Sequence, residues 1–255
     1  MDVLTVAVTD IGIRKAANED SLLVKIADTS RGKVVLAIIA DGMGGLSKGE
    51  LASASVIRAF SAWFDHELPD QLAAGDWDEL QYRWERMIKE QNHRIAEYGR
   101  SERIQLGTTL TALLLIGDQF RLIVHVGDSR VYRIHEGIEI LTDDQTVVGR
   151  DVKRGLLTPE QARIDPRRNV LLQCIGASRL VEPDYIYGRP LPGEVYVLCS
   201  DGFRHMVSDE EIFSAFRPVE LADESVMEQR ARAMVELNKQ RQETDNISVL
   251  LVKIQ

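Results

Sequence analysis

Seven apolar residues in a row, Val34 to Ala40, run straight into Asp41-Gly42-Met43-Gly44-Gly45. Such a run, closed by a glycine turn, predicts a strand buried in the core. An acid set where that strand leaves the core is held rigidly, and the glycines let backbone carbonyls and amides approach an ion or a phosphate. An ordinary capped loop has the same makeup, so the string decides nothing by itself. The pattern recurs, however: Asp10, Asp20, Asp128, Asp201 and Asp245 also stand at strand edges, several with a small neighbour in Asp-Gly, Gly-Asp-Ser or Asp-Asn.

Around these acids the chain predicts hairpins interrupted by amphipathic helices. Val3 to Thr9 reads as a strand, and Ser21 to Ala27 and Lys33 to Ala40 as two more around a polar turn at Asp28 to Gly32. Arg14-Lys15 precedes Glu19-Asp20, two bases followed by two acids, which fits either a solvated loop or phosphate-attracting bases beside metal-directed carboxylates. Ser47 and Glu50 form a capping box for a helix whose apolar face is Ala52, Val56, Ala59, Phe60 and Trp63, with Pro69 ending the segment. A second helix carries Leu80, Trp84, Met87, Ile88, Gln91 and Ile95 and stops at Gly99. Helices with such faces cover a sheet.

Leu110 to Ile116, Phe120 to Val126, Val131 to Ile134 and Ile138 to Leu141 are strands separated by turns at Gly117-Asp118, Gly127-Asp128-Ser129 and Glu136-Gly137, a spacing that suits antiparallel hairpins. His125 reads as a satisfied histidine at a strand edge, and with no second histidine at ligand spacing a zinc site is disfavoured. Asp143 to Arg168 is polar and basic, with one short helix started by Thr158-Pro159-Glu160-Gln161. Strands resume at Asp184 to Tyr187 and Glu194 to Cys199, and Ser208 to Glu211 is another capping box. A helix over Glu224 to Lys239 then presents Met227, Ala231, Met234 and Asn238 on one face, and the chain closes on the strand Ile247 to Ile254.

No linker, low-complexity tract or repeat divides the 255 residues, so a single domain over 1–255 is expected. No stretch is apolar for long enough to span a membrane and residues 1 to 20 lack a signal pattern, so a cytoplasmic protein with no membrane partner is expected. Asp and Glu number 40 against 31 Lys and Arg; the net charge of -9 argues against a nucleic-acid partner and suits divalent cations. Cys174 and Cys199 sit in apolar surroundings and read as buried free thiols.

Taken together and in order, Asp10-x-Gly12, Asn18-Glu19-Asp20, Asp41-Gly42-Met43-Gly44-Gly45 with Gly49-Glu50, Gly107-Thr108-Thr109, Gly127-Asp128-Ser129-Arg130, Thr158-Pro159-Glu160, Arg168-Asn169-Val170, Cys199-Ser200-Asp201-Gly202 and Asp245-Asn246-Ile247 resemble the motif set of the metal-dependent protein serine/threonine phosphatases, the type 2C or PPM family, in its compact bacterial form. The likeness spans nearly the whole chain. It implies an α+β fold, a four-layer αββα sandwich of two antiparallel β-sheets packed face to face with helices outside each. The metal centre would lie at one edge of the sandwich.

The resemblance also implies roles. Asp41 would bridge two Mn²⁺ or Mg²⁺ ions, the Gly42 carbonyl would bind one, Asp201 and Asp245 the other, and Glu19 would act through bound water, with Asp20 and Asn246 in support. Asp128 would join Asp201 at a third, weaker site, making two to three ions in all. Lys15, with Arg14 beside it, falls where the family carries a phosphate-binding arginine. The implied reaction is hydrolysis of phosphoserine and phosphothreonine in proteins by a hydroxide bridging the two ions, without a covalent phosphoenzyme. The implied setting is a monomer antagonising a Ser/Thr kinase, with a flap at about residues 143–170.

Several positions depart from the family pattern. Lysine at position 15 offers a point charge instead of a bidentate fork. Leu46, Gln145 and Asp165 stand where bacterial members carry histidines, Met43 where animal members have one, and Glu243-Thr244 where a glycine pair is frequent. None of these is an implied direct metal ligand, so an active enzyme is expected. A catalytically inactive phosphatase-fold binding module would be favoured by lost carboxylates, and all are present. A nucleotidyl transferase would need a Gly-x-x-x-x-Gly-Lys-Ser/Thr loop, which does not occur. A phosphatase of small phosphate esters fits the same residues.

Overall fold

The computed structural model describes residues 1–44 and 48–255. Gly45, Leu46 and Ser47, and with them the capping box expected at Ser47, lie outside the described residues. In chain order the elements are β1 (Val3–Asp10), β2 (Ser21–Thr29), β3 (Gly32–Ala40), β4 (Gly42–Gly44), α1 (Gly49–His66), α2 (Leu68–Ala74), α3 (Trp77–Glu102), β5 (Leu106–Thr108), β6 (Leu110–Ile116) and β7 (Phe120–Val126). They continue with β8 (Arg130–Ile134), β9 (Ile138–Ile140), α4 (Val147–Lys153), α5 (Pro159–Ile164), β10 (Asp184–Gly188), β11 (Val195–Cys199), α6 (Asp201–Arg204), α7 (Asp209–Phe216), α8 (Glu224–Gln240) and β12 (Ile247–Ile254).

Side chains alternate between the two faces of a strand, and β3 is apolar on both. Val34, Leu36 and Ile38 pack into one core and Val35, Ala37 and Ile39 into another, all fully buried. A strand of this kind needs a layer on each side, and the chain supplies them. One five-stranded sheet has the order β10-β7-β6-β3-β2 and the other β1-β12-β11-β8-β9, with every neighbouring pair antiparallel. Their inner faces meet through Val35, Ala37, Leu113 and Ile123 from the first and Val131, Tyr196, Leu198 and Leu250 from the second.

Each outer face is covered by helices. Val56, Phe60 and Trp63 of α1 and Leu80, Trp84 and Ile88 of α3 cover the β3 sheet. Phe60 and Trp63 both meet the Trp84 ring edge-on, at centroid distances of 4.9 and 5.0 Å, a geometry favoured by ring quadrupoles. Phe203 of α6, Ile212 and Phe216 of α7, and Met227, Ala231 and Met234 of α8 cover the other sheet. The expected four-layer sandwich is therefore present, with three cores for its three layer contacts. Among the described residues no helix is long and apolar enough to cross a membrane.

Local chemistry sets the helix starts: Thr158 with Gln161, and Ser208 with Glu211, form reciprocal capping boxes as expected. Four details differ from the sequence reading. Gly99 does not stop α3, which runs to Glu102 and ends on Arg103 in the left-handed region; a Cβ at Gly99 would lie 2.9 Å from the Ile104 carbonyl oxygen, so its glycine serves close packing. Pro69 is the second residue of α2, in the first turn, where its missing N–H costs nothing. Gly127-Asp128-Ser129 is not a hairpin but the corner at which the chain passes from one sheet (β7) to the other (β8). The helices α2, α4 and α6 and the short ladder β4–β5 went unpredicted, because α4 starts on Val147-Val148, weak helix formers, α2 and α6 are only seven and four residues long, and three-residue strands have no readable period.

Candidate metal centre

Strand register brings the acids together. Ser21 pairs with Ala40, Thr111 with both Ile39 and His125, and Leu110 with Val126, so Asp20, Asp41 and Asp128 leave the first sheet at one end. Cys199 pairs with both Val249 and Arg130, so Asp201, Asp245 and the Asp128 turn leave the second sheet at that same end. Asp10 lies at that end too, opposite Ile247, but its carboxylate is engaged elsewhere. Its carboxylate accepts the Gly12 amide at 2.8 Å and pairs with Lys239 at 3.2 Å, capping its own turn.

The Asp41 backbone is clamped on both sides. Its N–H donates to Thr109 Oγ1 at 2.9 Å, and its carbonyl accepts from Thr109 N at 2.8 Å and from Thr108 Oγ1 at 3.0 Å. Thr109 Oγ1 also meets Ser129 Oγ at 3.1 Å, tying the Asp41 segment to the Asp128 turn. Gly42 and Gly49 lie against each other so closely that a Cβ on Gly42 would be 2.6 Å from the Gly49 carbonyl carbon. Only glycine lets α1 start there. Glu19, buried beside them, accepts the Gly49 N–H at 2.8 Å and the Lys48 N–H at 3.3 Å through Oε1, satisfying the open amides of the helix start. Asn246 accepts the Glu19 N–H at 2.9 Å and donates to the carbonyls of Ile11 and Ala17 at 3.0 and 3.1 Å, which pins the loop carrying Arg14, Lys15 and Glu19.

The electrostatics are those of like charges forced together. Burial, and then the charges of Asp20, Asp201, Asp128 and Asp245, hold the Asp41 carboxyl well above the usual carboxylate range, although part of the residue reaches solvent. Asp20 is pushed up to about 7 by burial and the charges of Asp201 and Asp245, with the hydroxyls of Ser248 and Ser200 opposing. Neither Asp20 oxygen is close and aligned enough for a hydrogen bond among the described residues, so those hydroxyls give only partial relief. Asp128 is also pushed up to about 7, by burial and by Asp201, against the pull of the Arg204 guanidinium.

Two basic side chains lie directly against the carboxylates of the cluster. Lys15 Nζ lies 2.7 Å from Asp245 Oδ1, and His205 Nε2 lies 3.5 Å from Asp201 Oδ2. Arg14 remains exposed in the same loop. Among the described residues no three His, Cys, Asp or Glu side chains close tightly on one point, and Asp245 Oδ1 is engaged by Lys15 and by the Asn246 amide at 2.8 Å. The donor set nevertheless fits a hard divalent cation: carboxylate oxygens and the Gly42 carbonyl, crowded negative charge and two orphaned buried oxygens on Asp20.

Some residues of this site carried no role in the sequence reading. Thr108 and Thr109 belonged to a recognised motif, and the structure gives them the Asp41 backbone. His205 was overlooked; its signal was a position four residues after Asp201, one helical turn on. Glu243 was noted only as a departure, and it accepts the Asp245 N–H at 2.9 Å. His125, by contrast, is the satisfied histidine expected, buried between Thr111 Oγ1 at 2.9 Å and the Asp143 carbonyl at 3.1 Å. Both cysteines are free and buried, as expected.

Known proteins share this frame. Protein phosphatase PhpP of Streptococcus pneumoniae is 30% identical over 249 residues, covering 96% of this chain and 95% of the relative. The serine/threonine phosphatase of S. agalactiae superposes with a TM-score of 0.86 at 31% identity over 100% of both chains. The catalytic domain of the serine/threonine protein phosphatase PstP, solved in complex with two manganese ions, superposes with a TM-score of 0.80 at 31% identity over 99% of each chain. The protein phosphatase 2C model matches residues 13–239, and with the sandwich and its acidic edge this establishes that the chain belongs to the protein phosphatase 2C family.

Proposed function

We propose that this chain hydrolyses phosphoserine and phosphothreonine esters in proteins, with Mn²⁺ or Mg²⁺ as its cofactor. The observation that carries the reading is the convergence of Asp20, Asp41, Asp128, Asp201 and Asp245 at one end of the two sheets, where their charges oppose one another. Such a site is poor at being empty and well suited to divalent cations. The manganese reported for the PstP domain supports the same assignment.

Asp41, Asp201, Asp245 and the Gly42 carbonyl would hold two ions, and Asp128 with Asp201 a third. When bound, the ions supply the positive charge that ionises water near neutral pH and neutralises phosphoryl oxygens. Glu19, fixed by the Gly49 amide, leaves its second oxygen to orient water, Asn246 holds the Glu19 segment, and Asp20 would support the ligands through its charge beside Asp201 and Asp245. Lys15 brings the phosphate-attracting charge to the edge of the cluster. Arg14 stands beside it as a second such charge. The base of the 143–170 segment is tied to the Asp128 turn, since Gln145 Oε1 accepts the Gly127 N–H and Gln145 N donates to the Gly127 carbonyl, both at 2.8 Å. That tie supports a role for the segment as a flap beside the site.

The working unit would be the whole of residues 1–255, acting as a monomer in the cytoplasm against the products of a Ser/Thr kinase. The deciding experiment assays phosphopeptides and small phosphate esters side by side, with Mn²⁺, Mg²⁺ or EDTA. Metal-dependent turnover with phosphopeptides preferred is expected. Equal turnover after verified metal removal would sink the reading, and a preference for small esters would replace the substrate class.

A further inference from the structure

We infer that Glu243 and His205 form a clasp that positions the Asp201 and Asp245 carboxylates, an inference that rests on the metal-ligand assignment proposed above for those two aspartates. Asp201 opens α6, and His205 follows one turn later, which brings its imidazole back over the Asp201 carboxylate. Nε2 of His205 is 3.5 Å from Asp201 Oδ2, and Nδ1 is 3.5 Å from Glu243 Oε2. The other oxygen of Glu243 accepts the N–H groups of Thr244 and Asp245, at 2.6 and 2.9 Å. One glutamate therefore reaches both segments, Asp201 through the imidazole and Asp245 through its amide.

Glu243 is itself fixed. It is 6% exposed, and its N–H donates to the Asn238 carbonyl at 3.0 Å, near the end of α8. A further buried acid beside crowded aspartates costs stability unless it is paired, and among the described residues the contacts of the Glu243 carboxylate lead to His205, over Asp201, and to the Thr244 and Asp245 amides. Groups that hydrogen-bond or pair with ligating side chains orient them, and their loss commonly lowers metal affinity about 10- to 100-fold. Glu243 and His205 are on this account positioning residues, acting through Asp201 and Asp245 and touching neither substrate nor ion.

The test is calorimetric titration of the metal-stripped full chain with Mn²⁺ at one fixed pH, alongside melting curves in EDTA. Glu243→Ala should lose about 10- to 100-fold in Mn²⁺ affinity. Glu243→Gln, whose side-chain oxygen still accepts the two amides, should lose clearly less. His205→Ala should weaken binding too, and the double variant should bind no more weakly than Glu243→Ala alone, because His205 acts through the same contact. If Glu243→Ala fails to fold, Glu243→Gln carries the test, with a loss of about threefold expected from the lost imidazole pairing. Folded variants that bind Mn²⁺ as the wild type does, or single losses that multiply in full, overturn the clasp while leaving the metal assignment standing. A wild-type protein that binds no Mn²⁺ overturns the assignment and the clasp with it.

Discussion

Lys15 Nζ lies 2.7 Å from Asp245 Oδ1, joining the loop after β1 to the turn that precedes β12. Burial alone would lower the lysine pKa, but the Asp245 hydrogen bond and the charges of Asp245, Glu19 and Asp41 overcome it, so the ammonium is held on. A lysine has three donors on one nitrogen. The contact to Asp245 leaves the others free for a phosphate entering beside the acids.

Lys15→Ala should therefore raise KM for a phosphopeptide, by about tenfold for one lost charge-assisted hydrogen bond, with a smaller change in kcat. Lys15→Arg should leave KM unchanged or lower it, since the fork can serve the phosphate as well. Steady-state kinetics on both variants and on Arg14→Ala decide the matter. A larger KM rise in Arg14→Ala would move the phosphate contact to the exposed neighbour.

Asp41→Asn, Asp201→Asn and Asp245→Asn should each cost on the order of 10²- to 10³-fold in turnover, the scale of charge compensation worth several kcal/mol. Melting curves in EDTA should not fall for Asp41→Asn, since burial and the neighbouring aspartates already disfavour that carboxylate, and should fall only slightly for Asp245→Asn, which loses the half-exposed Lys15 pair. A variant that loses activity by melting earlier would mark its aspartate as structural.

The pH dependence of the metal-free protein follows from the raised carboxyls. Asp20 and Asp128 are raised in the fold from an ordinary 3.8 to about 7. Between these values the folded state binds more protons than the unfolded one, so the slope of unfolding free energy against pH is negative. Their stabilising contribution is full below about 3.8 and is lost as pH rises through about 7. In EDTA the melting temperature should thus be lower at pH 8 than at pH 5. Asp20→Asn should recover roughly 2–10 °C at pH 8, corresponding to about 1–3 kcal/mol for relieving an unsatisfied buried group, and much less at pH 5. A wild type and variant that differ equally at both pH values would contradict this.

Much of the placement of these acids is legible in the sequence. Asp41, Asp128, Asp201 and Asp245 stand out because short apolar runs make strand ends visible, and a strand end fixes where its next residue sits. What joins them across sheets was not legible. The Gly127-Asp128-Ser129 corner reads locally like any hairpin turn, and only the pairing of β8 with β11, about 60 to 70 residues further on, reveals that it changes sheet. The Thr108 and Thr109 hold on Asp41 and the Glu19 hold on the start of α1 are long-range side-chain contacts of the same kind. Gly99 misled because a glycine needed for close approach and a glycine that ends a helix look identical in one sequence.

Asp128 allows a test of chemistry against packing at a single residue. Its turn is held by other groups: Gln145 binds Gly127 on both its N–H and its carbonyl, and Arg204 donates to the Asp128 backbone carbonyl at 3.0 Å. The carboxylate is thus left to face Asp201, whose charge raises it. A site of two carboxylates completed by water binds a hard cation loosely, so it should fill only at high metal concentration. If that ion serves proton delivery to the leaving group, its loss should hurt an alkoxide far more than a nitrophenolate, which departs without a proton. Asp128→Ala should keep tight binding of two Mn²⁺ ions, lose about 100-fold on a phosphopeptide, the lower end of what a lost general-acid contribution costs, and retain relatively more activity on p-nitrophenyl phosphate. An equal loss on both substrates together with a lowered melting temperature would instead assign Asp128 to the architecture of the corner.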